Sequence, residues 1–423
     1  MKETARNSII RLTVALCRLV AGGTFVLSGW SKAIDPYGSV YKIGDYLSAW
    51  HLDVAREIIL IGAVGLAALE FVVGIMVLTG CLRRAAVVMA AAMMTFLLPL
   101  SCYIAIASPV ADCGCFGEMW VISNEATLLK NIVVAAAIVW LLMRNRCLPS
   151  IYHPGIQWLA IILTVAYPLA LSFFGYNFQP LVDFRPYKVG TVLNAAGQGS
   201  GAAPEYVYEK AGETRTFSLN SLPDSTWTYV GPVAPSAGDG AAGDDDAYLT
   251  IYDGDEDVTD YVLGDSEGDM LLLLINEPDI EYLTRSRFVN ELASYAEAHD
   301  CRFVGIIGAD DSRRDDWLSI VRPAFEVYEA EDTSIKQVAR GDAALLMLSQ
   351  GVIKWKYNLG WFDIDLTDSG SESALDAVTA IDDGAANRRL MLLYLAGMII
   401  IALLGLSPRI ISLIGRGNSP KNC

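Results

Sequence analysis

Two cysteines one residue apart, Cys113 and Cys115, sit in Asp112-Cys113-Gly114-Cys115-Phe116-Gly117, a short polar loop between two strongly apolar stretches. A Cys-x-Cys pair can serve as a redox couple, as half of a metal site, or as a structural pair that shapes a loop. A disulfide between residues i and i+2 closes only with strain, and strain makes it easier to reduce. Gly114 between the two eases the turn. The spacing therefore suits exchange better than stapling. Cys102, at the end of the preceding apolar stretch, is a third thiol that could resolve a mixed disulfide or form the resting bridge. The metal reading needs further ligands, and the neighbourhood offers Cys102, His51 and Asp112. All three readings stand on the residues alone.

The second residue with chemical reach is Glu70, in Leu69-Glu70-Phe71-Val72-Val73-Gly74. A carboxylate inside an apolar segment is costly and faces a partner or water. Arg18 and Lys32 are the candidate partners. A structural contact that orients helices and a proton- or quinone-site role are both compatible with the position. For Lys32 the plain reading is a side chain reaching for the interface.

These groups need elements to hold them. The chain has 423 residues, 53% hydrophobic and only 19% charged, too apolar for an average soluble protein. Apolar runs long enough to cross a bilayer predict helices at about Leu12–Trp30, Glu57–Gly80, Ala85–Ile106, Thr127–Met143, Ile156–Phe174 and Leu390–Leu406. The first run lacks a clear cleavage site and is read as a retained anchor. Lys2, Arg6, Arg11, Arg83, Arg84, Arg144 and Arg146 put both ends of the chain in the cytoplasm. The loop with Cys113 and Cys115 then faces outward, into a compartment that permits disulfides. So do residues 176–387; Arg388 and Arg389 run against the rule, which long translocated domains weaken.

Charge separates the same two parts. Residues 176–387 hold 39 of the 48 acidic residues but only 14 of the 31 basic ones. An acidic exterior segment fits a solvated surface and argues against nucleic acid. Within it, residues 195–203 and 234–246 read as linkers, and Tyr206–Leu219 and Thr226–Val230 as short strands. Asp253-Gly254-Asp255-Glu256-Asp257 starts like a calcium loop, but Val258 and Gly264 occupy the positions that need Gly and Glu, so a turn is expected. From Met270 strand and helix alternate and end in a hairpin, Ala343–Leu348 with Val352–Tyr357.

That order over residues 263–366 resembles a thioredoxin-like fold. The place of its active cysteines is taken by Asn276-Glu277-Pro278-Asp279-Ile280-Glu281-Tyr282, without cysteine, and Cys301 reads as a small buried residue. Residues 12–145 resemble the DoxX-like superfamily of four-helix membrane proteins, within it the methylamine-utilisation MauE branch. Phe25, Ser28, Gly29, Lys32, Asp35, Pro36 and Tyr46 carry the likeness, with Glu70, Gly74 and Gly80, the Cys113–Gly117 motif, Thr127 and Asn131. With Asp183-Phe184-Arg185-Pro186-Tyr187 and the exterior domain, the layout is similar to DoxX-family proteins of Bacteroidetes-type bacteria.

The expected architecture is a mainly α membrane protein: a four-helix bundle (1–150), a fifth helix (151–178), a strand and linker region (179–262), the α/β domain (263–366), a linker (367–389), a sixth helix (390–407) and a tail (408–423). It would lie in a bacterial inner membrane. The resemblance implies redox work outside the cytoplasm, because MauE is associated with maturation of a disulfide-rich dehydrogenase beside a thioredoxin-like partner. On that reading Cys113 and Cys115 are the redox pair, Cys102 a resolver, a quinone the electron acceptor and Glu70 part of its site. The alternative is a non-enzymatic scaffold whose acidic domain binds a partner. A solute transporter has only Glu70 and the helix number behind it.

Overall fold

Six helices of the computed structural model are long and apolar enough to cross a membrane. The structure describes residues 2–107, 113–144, 150–193, 205–210, 213–218, 228–232, 249–264, 268–276, 278, 285–308, 311–366, 374–378 and 383–405. Both linkers, Asp112, Cys147, the 408–423 tail and Cys423 lie outside them. The chain divides into two compact units, Met1–Val182 with Asp382–Cys423, and Asp183–Ile381.

The first unit is helical. α1 (Lys2–Ile34) is followed by α2 (Pro36–Ala49), α3 (Arg56–Thr79), α4 (Arg83–Ala107), α5 (Asn124–Arg144) and α6 (Gln157–Asn177). The helix at the end of the chain, Asp383–Leu404, packs on α6. Residues such as Ile9, Leu16, Ile61, Phe96, Leu129 and Ile162 are exposed on the outer faces, as a lipid-facing surface requires. The chain is a multi-pass membrane protein.

α1 and α3 pack most closely, and small residues are the reason. A Cβ on Gly29 would stand 2.4 Å from the Phe71 nitrogen and 2.6 Å from the Ala67 carbonyl. One on Gly74 would meet the Val26 nitrogen at 2.6 Å. Backbone-to-backbone contact at this range needs glycine on the facing surface. The fifth predicted helix, α6, joins this core: Gly175 lies against the Ile34 carbonyl, and Tyr167 and Tyr394 stack at 4.5 Å beside Phe71.

Helix α2 has no counterpart in the sequence reading, whose first helix ends at Trp30; in the structure α1 runs on to the Asp35-Pro36 step. The step does stop α1, and the same residues start the next helix. Asp35 Oδ1 accepts from the Gly38 N–H at 2.9 Å, and Pro36 occupies the first turn, where its missing N–H costs nothing.

The second unit is built on a mixed sheet. Three strands, β1 (Glu205–Lys210), β2 (Glu213–Ser218) and β3 (Thr228–Pro232), form an antiparallel sheet ordered β2-β1-β3. The larger sheet begins with β4 (Ile251–Asp253) and β5 (Glu256–Asp257), joined by a tight turn at Gly254 with φ +61 where the calcium-like run sits. Then come α7 (Thr259–Leu263), β6 (Asp269–Ile275), α8 (Ser286–Ala298), β7 (Cys301–Ile307), α9 (Asp311–Val321), β8 (Glu326–Ala330), α10 (Asp332–Val338), β9 (Ala343–Ser349), β10 (Val352–Asn358) and α11 (Ala374–Ala377). The helix Asp383–Leu404 is α12.

The strand order is β10-β9-β6-β7-β8-β4-β5, with β6 parallel to β7 and antiparallel to β9. The unbroken run Met270-Leu-Leu-Leu-Leu-Ile275 is buried on both faces, as a central strand requires. Leu271 and Leu273 meet α8 and Trp317 of α9, whereas Leu272 and Leu274 meet Ile251, Leu249, Ile335 and Val338. The sheet thus reaches back to β4, ahead of the 263 boundary read from sequence.

A strap covers that second face. Val192 bridges Val352, and Gly190 N donates to Ile353 O at 2.7 Å. Its first residues, Asp183-Phe184-Arg185-Pro186-Tyr187, enter through a buried ionic cluster. Arg185 Nε donates to Asp183 Oδ1 at 2.8 Å, and Arg185 Nη1 and Arg340 Nη1 donate to the Lys336 carbonyl. Lys356 Nζ reaches Asp183 Oδ2 at 3.3 Å and donates to the carbonyls of Tyr187 and Val338. Burial draws the Lys356 ammonium down to about 8. Burial pushes the Asp183 carboxyl up, but Arg185, Lys356 and their hydrogen bonds prevail and hold it at about 2.

Candidate functional site

The Cys113–Cys115 loop is anchored by side chains from two helices. Ser28 Oγ of α1 donates to the Cys115 carbonyl at 2.5 Å, and the Tyr46 hydroxyl of α2 donates to the Cys113 carbonyl at 3.2 Å. Gly114 takes φ +63 and Gly117 φ +54, both in the left-handed region. A Cβ on Gly114 would also meet Lys42 Cγ at 2.7 Å, so the turn is sterically closed to larger residues. Phe116 is buried, stacks on Trp120 with ring centroids 6.1 Å apart, and carries the Lys130 ammonium of α5 4.4 Å above its ring.

Within this loop the sulfurs of Cys113 and Cys115 stand 3.0 Å apart as thiols. That is hydrogen-bond contact, one bond-forming step from a disulfide. The shared hydrogen bond makes the pair unequal. The hydrogen bond with Cys113, then the charges of Lys130 and Lys32, draw the Cys115 thiol down against the opposing effect of burial. The same hydrogen bond, burial and the neighbouring sulfur charge push Cys113 up, with Lys130 and Lys32 opposing. The shared proton belongs to the pair, and the sulfur that gives it up is in the reactive, thiolate form.

Behind the loop the helices carry an ion pair. Lys32 Nζ lies 2.8 and 2.9 Å from the two oxygens of Glu70, and Ser28 Oγ is 2.7 Å from Glu70 Oε2. Glu70 is 1% exposed. Lys32 also stands 3.3 Å from Ser28 Oγ. A polar chain thus runs from Glu70 through Lys32 and Ser28 to the Cys115 backbone, in an otherwise apolar α1–α3 interface. Of the two candidate partners of Glu70, the structure selects Lys32. Arg18 lies instead against Gly80, the left-handed residue that ends α3.

The sequence-derived site residues are thus placed as follows. Cys113 and Cys115 meet each other. Glu70 meets Lys32 and Ser28. Cys102, on α4, is a half-buried thiol, and the sulfur facing Cys113 is that of Cys115. Among the described residues no group of three His, Cys, Asp or Glu could hold a metal ion. Sequence reasoning missed Lys130. Its signal was a polar triplet, Thr127, Lys130 and Asn131, at helical spacing on an apolar helix; Thr127 and Asn131 are buried.

In the α/β unit, β6 is followed by Asn276, whose Nδ2 donates to the Gly341 carbonyl at 2.7 Å. Glu277 and residues 279–284 lie outside the described residues. Cys301 is buried at the start of β7.

Six apolar helices, a clamped thiol pair in a loop of the helical unit and a separate mixed α/β unit define a polytopic membrane protein. Residues 10–144 match the family described as Methylamine utilisation protein MauE, and residues 203–233 match a Domain of unknown function (DUF8463). The first match spans α1 to α5 and includes every member of the site above. No curated protein and no solved structure matches the chain.

Proposed function

We propose that this protein is a membrane thiol–disulfide oxidoreductase of the DoxX/MauE type that oxidises or matures an extracytoplasmic client protein. The observation that carries the reading is the 3.0 Å approach of Cys113 and Cys115 in a loop clamped by Ser28 and Tyr46. A structural pair would need no charged groups behind it; this one has Lys32 and Lys130 acting on its sulfurs.

In this reading the disulfide form accepts electrons from a client dithiol. One client thiolate attacks a loop sulfur and the Cys113–Cys115 bond breaks. The second client thiolate then closes the client disulfide and releases the loop as dithiol. Two electrons pass to the loop, and a quinone of the bilayer is the class of acceptor that would take them onward. Cys102 is the thiol that would resolve a stalled mixed disulfide.

Basic residues beside α1, α3 and α5 support an orientation with both ends of the chain in the cytoplasm of a bacterial inner membrane, and with the loop and the α/β domain outside. The order β6-α8-β7-α9-β8-α10-β9-β10, with β6 between a parallel and an antiparallel neighbour, supports a thioredoxin-like domain. Asn276 at the end of β6 favours a docking role for it over electron carriage. The corresponding second reading, a scaffold whose acidic domain holds a partner, rests on that same residue.

Rapid acid quenching and alkylation of native membranes tests the redox reading. Cys113 and Cys115 should move between disulfide and dithiol as cells are shifted between oxidising and reducing media. A pair fixed in one state throughout refutes it. A Cys113→Ser, Cys115→Ser double variant that keeps full function, with loss only on removing residues 263–366, favours the scaffold.

A further inference from the structure

Ser28 joins the thiol loop to the bundle with one hydrogen and two acceptors. Its hydroxyl is in donor geometry to the Cys115 carbonyl at 2.5 Å and to Glu70 Oε2 at 2.7 Å. Each distance is that of a full O–H···O bond, and a hydroxyl carries a single hydrogen, so one contact at a time holds it. The Lys32 ammonium has three hydrogens. They go to Glu70 Oε1 at 2.8 Å, to Glu70 Oε2 at 2.9 Å and to Ser28 Oγ at 3.3 Å. Ser28 and Glu70 are only 7% and 1% exposed, so water does not supply the missing hydrogen.

A carboxylate outcompetes a carbonyl for a hydroxyl hydrogen, because an ionised acceptor makes the stronger bond. Left alone, Glu70 would take the Ser28 hydrogen and release the Cys115 carbonyl. Lys32 changes that balance. It meets both oxygens of Glu70, which then draws less on Ser28, and its own contact to Ser28 Oγ makes the hydroxyl a better donor to the carbonyl.

We propose that Ser28 is the positioning residue of the thiol pair and that the Lys32–Glu70 pair allots its hydrogen: to the Cys115 carbonyl while the ion pair is intact, to Glu70 when Lys32 is withdrawn. This inference rests on the exchange reading of the pair. The bond from Ser28 holds the Cys115 end of the turn, as Tyr46 holds the Cys113 end, and together they keep the sulfurs 3.0 Å apart. A loop already held in closing geometry loses less freedom when the disulfide forms. Lys32 thereby acts on the loop through a hydrogen bond, over and above its charge.

Two measurements on purified full-length protein in detergent micelles test this. The first is hydrogen exchange in the reduced loop, at the Gly117 amide that donates to the Gly114 carbonyl at 3.1 Å. Ser28→Ala should speed that exchange about fivefold, the worth of one hydrogen bond. Lys32→Met should do the same, and should add nothing in a Ser28→Ala background. Lys32→Met with Glu70→Leu removes the competing acceptor, so the hydrogen returns to the Cys115 carbonyl and exchange returns to the parent rate. The second is the equilibrium with glutathione, in which one glutathione disulfide oxidises the loop dithiol and two glutathione thiols are released. Ser28→Ala should lower its constant about fivefold. Parent-like exchange or a parent-like equilibrium in Ser28→Ala overturns the proposal, as does a Lys32→Met, Glu70→Leu variant that exchanges as fast as Ser28→Ala. If Lys32→Met alone fails to fold, Ser28→Ala and the paired variant, which strands no buried charge, decide the matter between them. Redox trapping in membranes tests the exchange reading separately: a pair that never changes state in cells refutes that reading, whereas the micelle measurements bear on Ser28 whatever the cells show.

Discussion

Removing the Glu70 carboxylate should be among the most damaging single changes in the membrane unit. In Glu70→Leu the Lys32 ammonium stays buried between α1 and α3 and loses both of its 2.8–2.9 Å carboxylate contacts. Ser28 loses its 2.7 Å contact and keeps the Cys115 carbonyl. Stranding one member of a buried ion pair costs about 3–5 kcal/mol. Replacing both members with apolar groups of similar size is close to neutral, so Lys32→Met with Glu70→Leu should recover most of the loss. Lys32→Met alone strands Glu70 at a similar cost, so the coupling between the two positions should be roughly 6 kcal/mol, a factor on the order of 10⁴ in the unfolding equilibrium. The assay is a double-mutant cycle on purified full-length protein, read by reversible unfolding in mixed micelles. Additive single and double variants, with coupling near zero, would show that the ion pair is not what holds Lys32 in place.

Three further outcomes follow from the geometry. Gly29→Ala places a Cβ 2.4 Å from the Phe71 nitrogen, so α1 and α3 must separate; overpacking of this kind costs about 1–3 kcal/mol, measurable as a lower thermal midpoint in micelles. Tyr46→Phe removes the 3.2 Å bond to the Cys113 carbonyl, worth about 1 kcal/mol, and should speed hydrogen exchange around the loop without unfolding the bundle. In the α/β domain, Asp183 sits at about 2, below its ordinary 3.8. Its contribution is present in full above the unfolded value and is lost as pH falls from about 4 towards 2, up to about 2 kcal/mol. Asp183→Asn should remove that acid limb, seen as pH-independent hydrogen exchange in β6 and β9 over the same range.

The sequence by itself determined the things that follow from composition and local pattern. Six spans were legible because a helix that crosses hydrocarbon must be apolar along its whole length. The central strand was legible in Met270–Ile275, and the turn in the Cys113–Cys115 loop in Gly114, because each depends on the properties of a few consecutive residues. Helix α2 was not read, since Asp35-Pro36 signals both an end and a beginning and the sequence alone does not say which follows. The tertiary structure decided what depends on residues far apart in the chain. It chose Lys32 over Arg18 as the partner of Glu70, because close glycine packing of α1 on α3 sets which side chains meet. It brought Lys130 to Phe116 from another helix, set the two sulfurs 3.0 Å apart, and drew the strap at Asp183 and strand β4 into the α/β domain. The clamp of Ser28 and Tyr46 on the loop carbonyls comes from helices far away in the chain, and it is not a property of the Cys-Gly-Cys motif itself.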